Sequence, residues 1–166
     1  MLEKGHVFVY GASGVCRLDD ICLRDYGGGK KEYYILQPVF DLRSSLSIPA
    51  DSPVFASHAR ELLSKEEVLE IIDSLPESKA EWIANDKERI ETFRNLLEGG
   101  VRQDIAALIR TLYLHKMELA EKGKKLRSSD ETIMQRAEKL LFGEFAWVLG
   151  IDPKEVVPFI KERIGI

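Results

Sequence analysis

Two glycine-rich segments contain the residues best suited to bind a phosphate group. GASG (residues 11–14) follows the apolar run VFVY, as the phosphate-binding turn of a dinucleotide-binding fold does. That fold requires a helix after the turn, whereas the next residues, VCRLDDICL, are typical of a strand. GGGKK (residues 27–31) lacks the glycine spacing and the Ser or Thr of a phosphate loop. Both segments are therefore predicted to be hairpin turns, and no nucleotide cofactor is expected.

The residue types that catalyse reactions or bind metals are dispersed along the chain. His6, His58 and His115 lie far apart, and no serine stands in a nucleophile motif. The spacing of Cys16 and Cys22 fits no zinc site, and cysteines of this kind more often behave as small buried hydrophobes. We therefore expect no enzyme activity, no metal and no small-molecule substrate.

Trp82 is the side chain most suggestive of a binding role. It stands in the charged stretch EWIANDKERIETFR (residues 81–94), at the edge of an apolar helical stripe that ends at Leu97. Arg89 projects close to the same line of the helical wheel. Residues 79–129 contain 11 basic and 8 acidic groups, a small positive surplus. Two roles remain open: the indole seals a core or an interdomain contact, or it is an exposed wedge for a partner.

The composition is that of a soluble globular protein. Hydrophobic residues make up 45% of the chain and charged residues 31%, and no apolar run approaches the ~20 residues that span a bilayer. The first residues contain too short an apolar stretch for a secretory signal, so a cytoplasmic location in a bacterium is expected. The net charge of −4 argues against a protein that binds nucleic acid unaided.

The elements are predicted to be strands first and helices afterwards. VFVY, VCRLDDICL, EYYILQPVF and LSI are runs typical of strands, and the short links between them require antiparallel pairing. A small barrel of the SH3 or Tudor kind would remove the exposed edges of such a sheet. This order of elements predicts an α+β chain with a β-barrel domain at residues 1–58 and an all-α domain at 59–166.

Five helices are predicted after Pro53, where the apolar period changes to about 3.6. The first begins at a capping box at 64–67 and stops at Pro76, the second covers about 80–97 and stops at Gly99-Gly100, and the third covers about 101–120. The fourth begins at a second capping box at 128–131 and continues to 149, and the fifth is short and capped by Asp152.

The order of these features resembles the CarD/CdnL family of bacterial transcription regulators. The similarity rests on GHVFVYGASGV (residues 5–15), EYYIL (32–36), the strand ending Ile48-Pro49, a Trp at the start of the second helix, and AEKLLFGEFAWVLG (137–150). In that family the Tudor-like domain binds the β subunit of RNA polymerase. Arg24 matches a position where members use a cation for this contact, and Ser47 stands where some carry a second arginine.

The resemblance also implies a role in promoter binding. In the family the helical domain contacts promoter DNA just upstream of the −10 element, and the Trp at the position of Trp82 wedges into the minor groove at the edge of the melted bubble, affecting open-complex stability. The basic residues that would accompany it here are Lys87, Arg89, Arg94, Lys124, Lys125 and Arg127.

The chain departs from the family after Trp82. Many members continue with a basic segment of the type S-R-R-Y-K, whereas residues 83–87 here are IANDK and keep only the lysine. Weak intrinsic DNA affinity is therefore expected, because each lost phosphate contact lowers affinity. The alternative is a protein–protein interaction module with no DNA binding.

Overall fold

The computed structural model describes residues 2–166 and divides the chain into two compact units. The first unit extends to Leu62 and the second comprises Leu63–Ile166, each with its own apolar core. The predicted domain limit at residue 58 falls just before a short strand, Ala59–Arg60, which pairs with the first strand of the chain. That pairing keeps residues 59–60 in the first unit.

The first unit is a five-stranded antiparallel sheet, in agreement with the predicted α+β class. Its strands are β1 (Val7–Tyr10), β2 (Val15–Asp25), β3 (Lys30–Pro38), β4 (Leu46–Pro49) and β5 (Ala59–Arg60), in the spatial order β4-β3-β2-β1-β5. A short helix, α1 (Pro53–His58), precedes β5. Each strand pair is antiparallel, as the short connections require.

The GASG segment is a hairpin turn, as predicted. The backbone N–H of Tyr10 donates to the carbonyl of Gly14 at 2.8 Å, and the N–H of Gly14 donates to the carbonyl of Gly11 at 3.3 Å. Gly14 has a φ of +72°, in the left-handed region that favours glycine. The turn leads into β2, which pairs antiparallel with β1, so the helix that a dinucleotide-binding turn needs does not follow it.

The two cysteines lie in different surroundings within the sheet unit. Cys16 is fully buried in the core beside Phe8, Leu18 and Leu36, and burial raises the pKa of its thiol to about 11. Cys22 is only partly buried, and both thiols are free. The expectation of two buried small hydrophobes is therefore correct for Cys16 and wrong for Cys22, because the end of β2 that carries Cys22 extends beyond the core.

This difference predicts two rates of thiol modification. At pH 8, a pKa near 11 lowers the thiolate fraction of Cys16 by about a hundredfold relative to a thiol of pKa 9. We expect a chromogenic disulfide reagent to modify one thiol of the native protein rapidly, and both thiols in denaturant. The Cys22→Ser variant should lose the rapid phase, and equal native rates for the two thiols would contradict this account.

The second unit consists of five helices. They are α2 (Lys65–Ser74), α3 (Asp86–Gly99), α4 (Arg102–Glu121), α5 (Ser128–Leu149) and α6 (Val156–Ile164). The first predicted capping box is confirmed, since Ser64 Oγ accepts from the N–H of Glu67 at 3.1 Å and Glu67 Oε2 accepts from the N–H of Ser64 at 2.7 Å. Within residues 2–166, none of these helices is long and apolar enough to cross a bilayer.

The second predicted capping box, at residues 128–131, is wrong. Ser128 is already the first residue of α5, and Arg127 occupies the N-cap without a capping side-chain bond. The carboxylate of Asp130 accepts two bonds from Arg89. Glu131, the acidic member of the predicted box, instead accepts a bond from Lys116 Nζ at 3.2 Å.

The start of α3 also differs from the prediction of about residue 80. The helix begins at Asp86, because the side chain of Asn85 accepts a hydrogen bond from the N–H of Glu88 at 2.9 Å and caps it. Gly100 ends the helix in the left-handed conformation (φ +68°), as the predicted glycine stop requires. Trp82 consequently lies in the irregular segment before the helix and not in its first turn.

Candidate functional site

Trp82 lies in a connecting segment whose backbone is held on both sides of the tryptophan. Upstream, the N–H of Ala80 donates to Thr111 Oγ1 at 2.6 Å, and the same hydroxyl lies 3.2 Å from the carbonyl of Ala80. Downstream, Arg89 Nη1 donates to the carbonyl of Ile83 at 3.0 Å. The segment has no secondary structure of its own, but its bonds to α4 and α3 fix the position of the backbone that carries the indole.

The indole of Trp82 packs against three side chains and remains half-buried. The imidazole of His115 stacks on it, with ring centroids 3.8 Å apart and planes at 22°. Phe93 from the core meets it edge-on at 6.1 Å, and the guanidinium carbon of Arg89 lies 4.6 Å from the ring centroid, within cation–π distance. The sequence left two roles open, a buried seal and an exposed wedge. The ring in the structure is neither fully buried nor fully exposed.

Arg89 is a structural residue, which contradicts its predicted contact with DNA phosphate. Its side chain is 2% exposed, and it forms a bidentate pair with Asp130, whose side chain is equally buried. Asp86 Oδ1 accepts a further bond from Arg89 at 2.9 Å. These hydrogen bonds, first of all those to Asp130, hold the pKa of Arg89 above its usual value. Four of its five N–H groups are bonded inside the protein and the side chain is buried, so Arg89 is not accessible to a phosphate.

Asp86 also joins a loop to the start of α3. Its second oxygen, Oδ2, lies 2.8 Å from Nη1 of Arg127, the residue before α5. The charged chain Arg127–Asp86–Arg89–Asp130 therefore ties the first turns of α3 and α5 together beside Trp82. We call these four residues the ion-pair cluster.

The other predicted DNA-contacting cations are exposed. Lys87 lies on the first turn of α3, and the bond between Arg127 and Asp86 brings the segment of Lys124 and Lys125 towards the same helix end. Arg94 lies two turns further along α3, about 10 Å away along the helix axis. Exposed carboxylates alternate with these cations, at Glu81, Glu88 and Glu91. The surface around Trp82 is therefore of mixed charge and not strongly basic.

Sequence reasoning assigned no role to three residues that position the indole. His115 continues the inward stripe of α4, at helical spacing from Leu108 and Leu112, and that spacing was the available signal. Thr111, which is buried, and Asp130 gave no such signal. Their partners lie 31 and 41 residues away in the chain.

In the sheet unit, Arg24 and Ser47 lie on the same face. Arg24 pairs with Lys31 of β3, and Ser47 pairs with Ile35 of the same strand. Because alternate residues of a strand share a face, Lys31 and Ile35 point to one side, and so do their partners. Four positions of β3 separate the two, about 13 Å along the strand.

The surroundings of Arg24 combine a cation with aromatic rings. Its Nε donates to Cys22 Sγ at 3.3 Å, and this bond, followed by the nearby Tyr26 hydroxyl, raises the pKa of Arg24. Tyr26 is 65% exposed and packs edge-on against Tyr33 at 5.1 Å. Arg24 itself is exposed. This face offers a charged group beside apolar surface, a combination common in protein interfaces.

Comparison with protein-family models gives one match in each unit. The model described as CarD-like/TRCF RID domain matches residues 2–53, and that described as CarD, C-terminal domain matches residues 67–161. The second match alone covers more than half of the chain. A comparison with curated proteins gave no match.

Proposed function

The chain belongs to the CarD family of RNA polymerase-interacting transcription factors, and we propose that it acts on the open promoter complex through Trp82. In this proposal the sheet unit binds the β subunit of polymerase and the helical unit contacts promoter DNA just upstream of the −10 element. The family is one of non-enzymatic transcription factors. The protein would therefore change the stability of the open complex without catalysing a reaction.

The observation that carries the proposal is the way Trp82 is held. The ring is half-buried, stacked on His115 and covered by Arg89, and the backbone is bonded at Ala80 and Ile83. A side chain fixed in this way loses little conformational entropy when it binds. Apolar and aromatic side chains that insert beside unstacked bases stabilise distorted duplex. A rigid, partly exposed indole at a helix end supports such a role.

The charges around Trp82 support weak DNA binding that depends on polymerase. Lys87, Lys124 and Lys125 are exposed near the helix end, while Glu81 and Glu88 oppose them and Arg89 is withdrawn into the ion-pair cluster. Few phosphate contacts give low affinity and a shallow salt dependence. Docking on polymerase raises the effective concentration of DNA at this surface, because the second contact becomes intramolecular.

A promoter-binding assay tests the proposal and separates it from the alternative. We expect no salt-sensitive complex between the protein and promoter DNA alone, and a salt-sensitive extension of the protected region when polymerase is present. The exposed carboxylates beside Trp82 favour the alternative, a protein–protein module without DNA binding. Polymerase binding with no change at the DNA under any salt condition would support that alternative.

Arg24 is proposed to contact polymerase, and substitution at two sites should change binding in opposite directions. Arg24→Ala should weaken capture of the β subunit by about tenfold, the loss expected when a charged interface contact is removed. Ser47→Arg, which adds a cation to the same sheet face, should strengthen capture at low salt. Pull-down of the β subunit over a range of protein concentrations measures both effects.

The matched control for this prediction is Arg136→Ala. Arg136 is an exposed arginine on α5, in the other unit, so its removal changes the net charge equally. The proposal fails for Arg24 if Arg24→Ala and Arg136→Ala bind the β subunit with the same affinity.

A further inference from the structure

The helical unit contains a cavity that the proposed function does not use. It has a volume of about 160 Å³ and lies among α4, α5, α6 and the turn after α2. Its walls are mainly apolar, with Ile109, Leu141 and Phe145 among the lining side chains. Engineered protein cavities of about 150 Å³ with such walls take up benzene. The cavity is therefore large enough for an apolar group about the size of one aromatic ring.

One lining residue, Arg110, is polar and lacks a partner. Its Nε is buried, and nothing within residues 2–166 forms a hydrogen bond or an ion pair with its guanidinium. Buried polar atoms are nearly always hydrogen-bonded, because leaving one unsatisfied is costly. An arginine in an apolar wall with unused donors is suited to a planar anion, above all a carboxylate.

Charged groups of both signs line the cavity. Arg110 and Lys161 line it as cations and Glu138 as an acidic side chain, and Ile166, which carries the C-terminal carboxylate, also lines it. Burial raises the pKa of Glu138, while the charge of Lys116 on α4 counteracts that rise. Lining groups of both signs therefore offset one another, and the preference for an anionic ligand rests on the unpartnered Nε of Arg110. Lys161 is exposed, which places the mouth of the cavity at α6.

We propose that this cavity binds a small monocarboxylate whose apolar body is about the size of a benzene ring. The body would lie against Ile109, Leu141 and Phe145, and the carboxylate would accept hydrogen bonds from Arg110. The site involves neither Trp82 nor the sheet face of Arg24, so its test is independent of the role in transcription. A ligand here would be an effector and not a substrate.

The test uses benzoate as the probe and benzamide as its neutral counterpart of equal shape. Each is titrated into the ¹⁵N-labelled full-length protein and followed by backbone amide shifts. We expect saturable shifts in α4 near Ile109 and in α5 near Leu141. Benzoate should bind about tenfold or more tightly than benzamide, because a charged acceptor strengthens its bonds to arginine. Absence of saturable shifts, or equal affinity for the two probes, would overturn the proposal.

A pair of variants tests the role of Arg110. Arg110→Met keeps the length and apolar stem of the side chain and should lower benzoate affinity about tenfold, to the level of benzamide. Arg136→Met makes the same chemical change at an exposed site of α5 outside the cavity and should leave affinity unchanged. Equal benzoate affinity in both variants would contradict the assignment. If Arg110→Met does not fold, the comparison of benzoate with benzamide on the unmodified protein still decides the matter.

Discussion

Replacement of Trp82 by alanine is expected to shorten the lifetime of the open promoter complex about tenfold, the effect of losing one aromatic–base contact worth about 1–3 kcal/mol. The indole is a large, half-buried side chain that packs against Phe93 of α3 and His115 of α4. Lifetime is measured by challenging preformed complexes with a competitor and following promoter dissociation. Polymerase binding should be unchanged, because the sheet unit is untouched.

The control is the other tryptophan of the chain. Trp147 lies on α5 and is 36% exposed, so Trp147→Ala removes a surface indole about 25 Å along the helix from Asp130 of the ion-pair cluster. That variant should leave the open-complex lifetime unchanged. A folded, polymerase-binding Trp82→Ala protein with an unaltered lifetime would refute the wedge role.

The second large effect is expected on stability, from Arg89→Met. The guanidinium and its partner Asp130 are both 2% exposed, so the substitution leaves a buried carboxylate without its bidentate partner. Breaking a buried ion pair from one side lowers the free energy of unfolding by about 3–5 kcal/mol. Urea denaturation of the full chain, followed by the helical circular-dichroism signal, measures the loss.

A double substitution separates the loss of a bond from the cost of an unpaired charge. Arg89→Met combined with Asp130→Leu removes both charges and should be less destabilised than the sum of the two single variants. Glu131→Gln, which breaks the more exposed pair with Lys116, should cost less than about 1 kcal/mol. If Arg89→Met costs no more than Glu131→Gln, the ion-pair cluster does not hold the site together.

Local patterns predicted the sheet and most helix limits because their causes are local. The GASG turn, the Ser64 capping box and the stop at Gly100 each depend on a few neighbouring residues. Antiparallel pairing followed from connections too short for a crossover. Chain length and spacing therefore contained the information needed for the class of fold.

The surroundings of Trp82 were beyond prediction because their causes are tertiary. The predicted start of α3 is too early because an apolar helical period continues through residues that form no helix, where Ala80 bonds instead to Thr111. Arg89 was assigned to DNA because it lies near Trp82 on a helical wheel, whereas Asp130, 41 residues away, draws it inside. A single sequence contains no signal for such a pair.

Photo-crosslinking tests most directly whether residue 82 meets promoter DNA. A benzophenone amino acid in place of Trp82 is activated in the complete complex of polymerase, promoter and this protein. We predict a crosslink to DNA at the upstream edge of the melted bubble, dependent on polymerase. The account would be contradicted if the photoreactive group at position 82 crosslinked only to protein while the complexes were intact and open.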